Sequence, residues 1–343
     1  MTEFNENEAV VGNSDELKQN EIKDFKKLLF LLAVTVIAAT VIPRLLVYII
    51  NLALSSAPEV TAEATETVTV SALEQNFFYF LIWFLSHLVI FVPSFLLFGF
   101  AFKDKMTFKK QGLPYEFKMS WLVPIFIASY ALSIIASFIS HLVAYLLQPV
   151  FGGGGLRDVF EGVMPQTAAE VIIMLIMVGL ISPVLEELIY RHLLLVPLRR
   201  YGDFQAVIIT ALLFGFFHGN FTQFLYTTMG GLIYGIVAVR ANSVKPAIAL
   251  HIINNVFAIL LSQFFAKADT AENPLLTLIA NLFPYGMLAL GAVILIYFCV
   301  KGRFKTENRN PFIPAADRLR MVAENPFVLI MMIVLIADTI IGT

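Results

Sequence analysis

Charge is what this chain most lacks. Only 14% of its 343 residues are Asp, Glu, Lys or Arg, while 59% are hydrophobic. A soluble domain carries roughly 25% charged and about 45–50% apolar residues. The apolar excess is more than a soluble core can hide, and lipid is the sink large enough to take it. Cysteine is almost absent. The single Cys299 lies in an apolar stretch, which excludes an intrachain disulfide and a cysteine-built metal site. There is no basic excess either. The net charge of −2 excludes a basic surface for nucleic acid. Residues 1–26 are polar and acid-rich, with no apolar core and small-residue cleavage site after them. They read as a disordered cytoplasmic tail, not a signal peptide. No internal repeat or low-complexity segment is evident.

What is present is a series of apolar runs. A spanning helix needs about 20 apolar residues, and the runs predict spans near 27–50, 77–102, 119–147, 168–198, 204–221, 223–240, 245–266 and 275–300. The fold class is therefore all-α, a polytopic bundle of about eight transmembrane helices. A ninth stretch, 326–343, is short and contains Asp338. It reads as an interfacial helix in preference to a further span. The connecting segments test this assignment. With the N-terminus inside and eight alternating spans, all but four of the 23 Lys and Arg residues fall in inside segments. The exceptions are Arg157 and Lys267 outside, and Arg44 and Arg191 within spans. That asymmetry is the one expected of a membrane protein with its basic loops in the cytoplasm. The outside segments include 55–76, rich in Thr and Glu, and four glycines at 152–155, both read as flexible solvated loops. The organisation is thus a tail (1–26), a transmembrane domain (27–300, chemistry within about 168–266) and a basic segment with a C-terminal apolar helix (301–343).

An ionised side chain in mid-bilayer costs roughly 2.5–3.5 kcal/mol. Yet Arg44, Glu186, Glu187 and Arg191 lie inside spans, as do His87, His141, His192, His218 and His251. Three of the charges fall within Ser182-Pro-Val-Leu-Glu-Glu-Leu-Ile-Tyr-Arg191. Glu187 and Arg191 are four apart, share a helix face and can pair. Glu186 is turned about 100° away and needs another partner or a wet cavity. Pro183 withholds a helical donor just upstream and is expected to bend the helix. These groups do not merely mark a helix end, because Arg191 lies about 12 Å inside Arg199.

Two further polar elements stand on later spans: Phe214-Gly-Phe-Phe-His218 and His251-Ile-Ile-Asn254-Asn255, the latter with His251 and Asn255 one turn apart on one face. His87 and His141 have no polar company and read as helix–helix hydrogen-bond donors. His192 points away from Arg191 and is read as structural. Together the clustered groups make a chemistry. A carboxylate can take a proton from water with a histidine sharing it, while a histidine and an amide can donate to an oxyanion. Alternatively, Glu186, His218 and His251 could ligate zinc with a fourth position for water, whose pKa the metal would lower. Either arrangement hydrolyses an amide bond, and both stay open. On the predicted boundaries His218 lies about 21 Å from the cytoplasmic end of its helix and His251 about 9 Å. One site requires the bundle to remove that difference.

The three motifs, Glu186-Glu187-Leu-Ile-Tyr-Arg191, Phe214-Gly-Phe-Phe-His218 and His251-Ile-Ile-Asn254-Asn255, resemble those of the CPBP family. That family groups CAAX prenyl endopeptidases with bacterial, Abi-like bacteriocin-processing and self-immunity proteins. The resemblance covers roughly 168–266; the first three spans and the tails are similar only in layout. It implies that Glu186 and His218 activate water, that His251 and Asn255 stabilise the oxyanion, and that Glu187 and Arg191 hold the site together. Both a metalloprotease and a metal-free glutamate mechanism have been argued for the family, so zinc on Glu186, His218 and His251 is carried as an alternative. The expected function is an intramembrane endopeptidase acting on a peptide precursor or small membrane protein near the cytoplasmic face of a bacterial membrane. The alternative is a non-catalytic scaffold that binds a membrane or cell-wall enzyme, with 301–343 as a docking element. A transporter would show two related halves with paired broken helices, and no such symmetry is present.

Overall fold

A computed structural model of the chain describes residues 6–55, 93, 96–97, 99–100, 117–151, 165, 167–219, 221–270, 273–306, 310 and 312–341. Among these residues the structure is helical and holds no strand. In chain order the helices are α1 (Glu6–Ser55), α2 (Leu122–Phe151), α3 (Ala168–Tyr201), α4 (Asp203–Phe217), α5 (Phe221–Ala241), α6 (Lys245–Thr270), α7 (Pro274–Val300), α8 (Ala315–Ala323) and α9 (Pro326–Ile341). The span expected at 77–102 lies outside the described residues apart from isolated positions. So do 152–155 and, apart from Ser55, the segment 55–76.

Six described helices are long and apolar enough to cross a membrane: Asp15–Ile42, Met119–Val143, Ala168–Tyr201, Phe221–Ala241, Lys245–Ala268 and Pro274–Val300. The protein is an all-α polytopic integral membrane protein. The span expected at 204–221 is shorter than predicted. Helix α4 ends after 15 residues, about 22 Å against the roughly 30 Å of a bilayer core. Gly202 (φ 132°) and Gly219 (φ 58°) close it at its two ends, in conformations that a side chain disfavours.

The helices pack by two different means. Along α1 the buried residues include Phe25, Leu28, Leu29, Leu32, Ala33, Thr35, Val36, Ala39 and Thr40, an i, i+3, i+4, i+7 stripe. Its other face presents Val34, Val41 and Ile42 outward, where lipid receives them. Helices α4 and α5 meet backbone to backbone. A Cβ on Gly231 would lie 3.1 Å from Ala211 Cα, and one on Gly215 would lie 2.8 Å from the Phe224 carbonyl oxygen. Small residues allow this approach where lipid removes the hydrophobic drive between helices.

The basic segments gather at one end of the bundle. Arg200 pairs with Glu21 and Asp24 near the start of α1. Asn310 donates to Glu21 (3.0 Å) and Arg199 to Asn242 in the α5–α6 turn (2.9 Å). Arg240 donates to the Lys305 carbonyl (2.9 Å), and Arg303 lies 4.2 Å over the Trp121 ring. Alternation predicted this grouping, since all these segments were placed on one side.

Two expectations about the termini are corrected. The tail read as disordered over 1–26 is helical from Glu6, and its later part is docked: Phe25 is buried and Glu21 is bonded to Arg200 and Asn310. An acid-rich segment becomes ordered because a basic helix end receives it. Helix α9 does not lie flat beneath the bundle. It runs parallel to α1, with Phe327 edge-on to Phe30 at 4.6 Å and Asp338 paired to Arg44. A bend of 63° separates it from α8, and the two together would count as a seventh span.

Candidate active site

Helix α3 carries the two glutamates, and its start is set locally. Thr167 accepts from the Glu170 amide (3.2 Å) while the Glu170 carboxylate accepts from the Thr167 amide (3.3 Å), a reciprocal cap that satisfies two orphan donors. The helix then widens. Over Leu175–Ile181 and Leu188–Leu194 its bonds run five residues back, with the Ser182 amide on the Met177 carbonyl and the Leu195 amide on Tyr190. Pro183 supplies the first cause: it has no N–H, and its ring crowds the carbonyl four residues upstream. The bend expected at Pro183 takes the form of a widened turn. Ser182–Glu187 is a short α-helical piece between the two wide segments.

Glu187 is fully buried and shared. Its Oε2 accepts from Arg191 Nε at 3.0 Å, both side chains being 0% exposed, and its Oε1 faces His251 Nδ1 at 3.1 Å. The pairing expected from the i, i+4 spacing is present, and no spacing signals the second partner. A carboxylate can only accept from a ring nitrogen, so Nδ1 of His251 carries the hydrogen. The Nε2 atom then faces Glu186 Oε2 at 3.8 Å, beyond hydrogen-bond length. The other oxygen of Glu186 accepts from Ser182 Oγ at 2.5 Å. Ser182 was overlooked in the sequence, although its position one turn before Glu186 was the available signal.

Arg191 makes up for a shortage of acceptors with rings. Its Nη1 and Nη2 are buried without a hydrogen-bond partner among the described residues. Its guanidinium carbon lies 5.4 Å from the Phe214 centroid and 6.0 Å from that of Tyr190, within cation–π range.

His218 caps the end of α4. Its Nδ1 bonds the Phe214 carbonyl at 2.8 Å, which makes Nδ1 the protonated atom and leaves Nε2 with the lone pair when the ring is neutral. The side chain thereby folds back one turn. Phe214 is the common neighbour: its ring centroid is 4.9 Å from His218 and 5.6 Å from His251. The difference in depth computed from helix rise is removed in this way, because both histidines pack on one ring. Tyr234 of α5 stacks on His251 at 4.6 Å, a contact that no sequence pattern announced.

Asn255 is otherwise engaged. Its Nδ2 donates to the Val178 carbonyl at 2.9 Å, within the first widened segment of α3, so one of its two N–H groups ties α6 to α3. His141 is exposed and bonds its own helix at the Ser137 carbonyl (2.8 Å), not a second helix as expected; His87 lies outside the described residues. For zinc, Glu186 and His251 approach, but among the described residues no three His, Cys, Asp or Glu side chains are grouped as ligands for a metal ion. As placed, Glu186, His218 and His251 do not fit a metal, and no step is derived through one.

Comparison with known families agrees with the resemblance read from the motifs. The model described as "Type II CAAX prenyl endopeptidase Rce1-like" matches residues 168–257, the stretch from the start of α3 through Asn255. No curated protein and no solved structure matches the chain.

Proposed function

We propose that this chain is an intramembrane endopeptidase of the CAAX-protease type, hydrolysing a peptide bond in a peptide precursor or small membrane protein. One observation carries the reading. Glu186 and His251 face each other across α3 and α6 at 3.8 Å, while the remaining polar atoms of both are fixed by Ser182 and Glu187. That separation is too long for a direct bond and suits a water seated to one side within reach of both. Glu186 would take the proton of that water as it attacks the scissile carbonyl. Glu187 holds the His251 ring with Nε2 turned towards Glu186, where an N–H at that atom would donate to the oxyanion. Glu186 would then return the water's proton to the leaving amine as the C–N bond breaks, and His218, with Nδ1 bonded to a carbonyl, would share the proton through its Nε2 lone pair. The second N–H of Asn255 is the remaining oxyanion donor.

The gathering of basic segments at one end supports a cytoplasmic N-terminus; a bacterial membrane and a cut near that face follow from the family resemblance alone. The test uses the full chain in nanodiscs with quenched fluorescent peptides, prenylated and unprenylated, bearing a CAAX terminus. Glu186→Gln is expected to lower cleavage by about 10²–10⁴-fold with thermal unfolding unchanged. A Glu186→Gln/His218→Ala strain that keeps its full phenotype would overturn the enzymatic reading in favour of a scaffold for a membrane or cell-wall enzyme.

A further inference from the structure

We propose that the Arg44–Asp338 ion pair is a clamp on the turn that carries His218, so that the two terminal helices complete a site whose motifs all lie between them. The inference rests on the hydrolytic reading above and assigns positioning residues to it. Arg44 and Asp338 are 294 residues apart, each on an otherwise apolar stretch of helix. Both Nε and Nη2 of Arg44 pair with the carboxylate. Its Nη1 donates to the Thr40 carbonyl one turn back (3.2 Å), which aims the guanidinium along α1. Asp338 is only 10% exposed in its side chain.

The pair sits on Gly219. A Cβ built there would lie 2.9 Å from Arg44 Nη2 and 3.5 Å from Asp338 Oδ2. Gly219 follows His218 directly and adopts φ 58°, and its amide closes the helix end on the Phe216 carbonyl (2.9 Å). The clamp therefore bears on the backbone that fixes His218, one residue from the ring. An ion pair needed only to tie α9 to α1 could stand anywhere along their shared length, and the Phe30–Phe327 ring contact already ties their other end. The charged pair stands where both helices reach the end of α4.

The experiment compares Asp338→Asn with the exchanged pair Arg44→Asp/Asp338→Arg in nanodiscs. Cleavage of the prenylated reporter is read as kcat and KM, alongside amide exchange of segment 214–222 by mass spectrometry. Asp338→Asn should lower kcat by about 10²-fold with KM little changed, the cost of misplacing a catalytic group by about 1 Å. Exchange in 214–222 should rise by at least about tenfold while that of 203–213 holds. The exchanged pair restores a tie between helices but moves the guanidinium off the turn. It should recover folded yield and unfolding temperature while kcat stays low. Recovery of kcat to the wild-type value, or unchanged exchange in both variants, overturns the clamp. A wild-type chain that cleaves no reporter counts against the hydrolytic reading, and the exchange arm still decides the clamp.

Discussion

The helices that carry the motifs, α3 to α6, and those that flank them, α1, α2, α7 and α9, are built by different rules. Within the first group backbones touch. Gly215, Gly231 and Gly235 bring α5 against α4, and Gly179 brings α3 against Val256 of α6. Their buried charges are compensated inside the group, with Glu187 between Arg191 and His251. The flanks bury Leu, Val and Phe stripes such as that of α1, with a close backbone approach at Gly291 between α7 and α2, and leave much of their surface to lipid. Among the described residues their charges pair at the edges of the bundle, Arg44 with Asp338 at one end and Glu21 and Asp24 with Arg200 at the other. Direct backbone contact leaves polar groups little room to drift. Apolar stripes tolerate small shifts because dispersion contacts have no direction. Precision is concentrated where the proposed chemistry sits.

The largest test of that contrast is Arg191→Ala. It strands Glu187 in a fully buried position with only His251 beside it. Removing one partner of a buried pair costs about 3–5 kcal/mol. The folded yield and unfolding temperature of the purified protein should fall sharply. Normal yield would show that the site's charges are solvated after all and would erase the distinction between core and flank. Removal of the flanking pair should do less to stability. Arg44 is half exposed, and exposed pairs contribute about 0–1 kcal/mol.

How much of this was legible depends on distance along the chain. The Glu187–Arg191 pair is written in the i, i+4 spacing, and the grouping of basic segments follows from counting spans. The motif order identified the helices that meet. The widened turns of α3 were not legible, because a shift to bonds five residues back depends on how the helix relieves the clash at Pro183. The Tyr234 ring stacked on His251, the His251–Glu187 contact and the Arg44–Asp338 pair join residues on different helices, the last two 64 and 294 positions apart. No local spacing encodes them. Helix α9 is hard to place for the same reason: its 16 residues are short for a span, and only the contacts of Phe327 and Asp338 show that it lies along α1. The docking of Glu21, Asp24 and Phe25 likewise required the basic end of α3 to be in view.

A middle-sized effect separates close packing from lipid exposure within one flanking helix. A Cβ on Gly291 of α7 would fall 2.3 Å from Ala131 Cβ and 2.7 Å from the Ile127 carbonyl oxygen of α2, whereas one on Gly286 meets nothing within 4 Å. Gly291→Ala should cost about 1–3 kcal/mol through overpacking, and Gly286→Ala should be neutral or slightly stabilising, since alanine favours the helix by up to about 1 kcal/mol. Equal unfolding temperatures for the two variants would mean that α7 slides freely against α2.

The smallest effect concerns the start of the motif-bearing stretch. Thr167→Ala removes the hydroxyl that accepts from the Glu170 amide and should cost about 1 kcal/mol. Because α3 is already loosened by two widened segments, the lost cap leaves the first turn as the part free to fray. Amide exchange should therefore rise in 168–174 and not beyond Ser182, where the α-helical piece holding Glu186 begins. Spread of the effect to Glu186 would mean that the wide segments transmit motion along α3. Confinement to the first turn would mean that they absorb it and keep the glutamates still while the helix end moves.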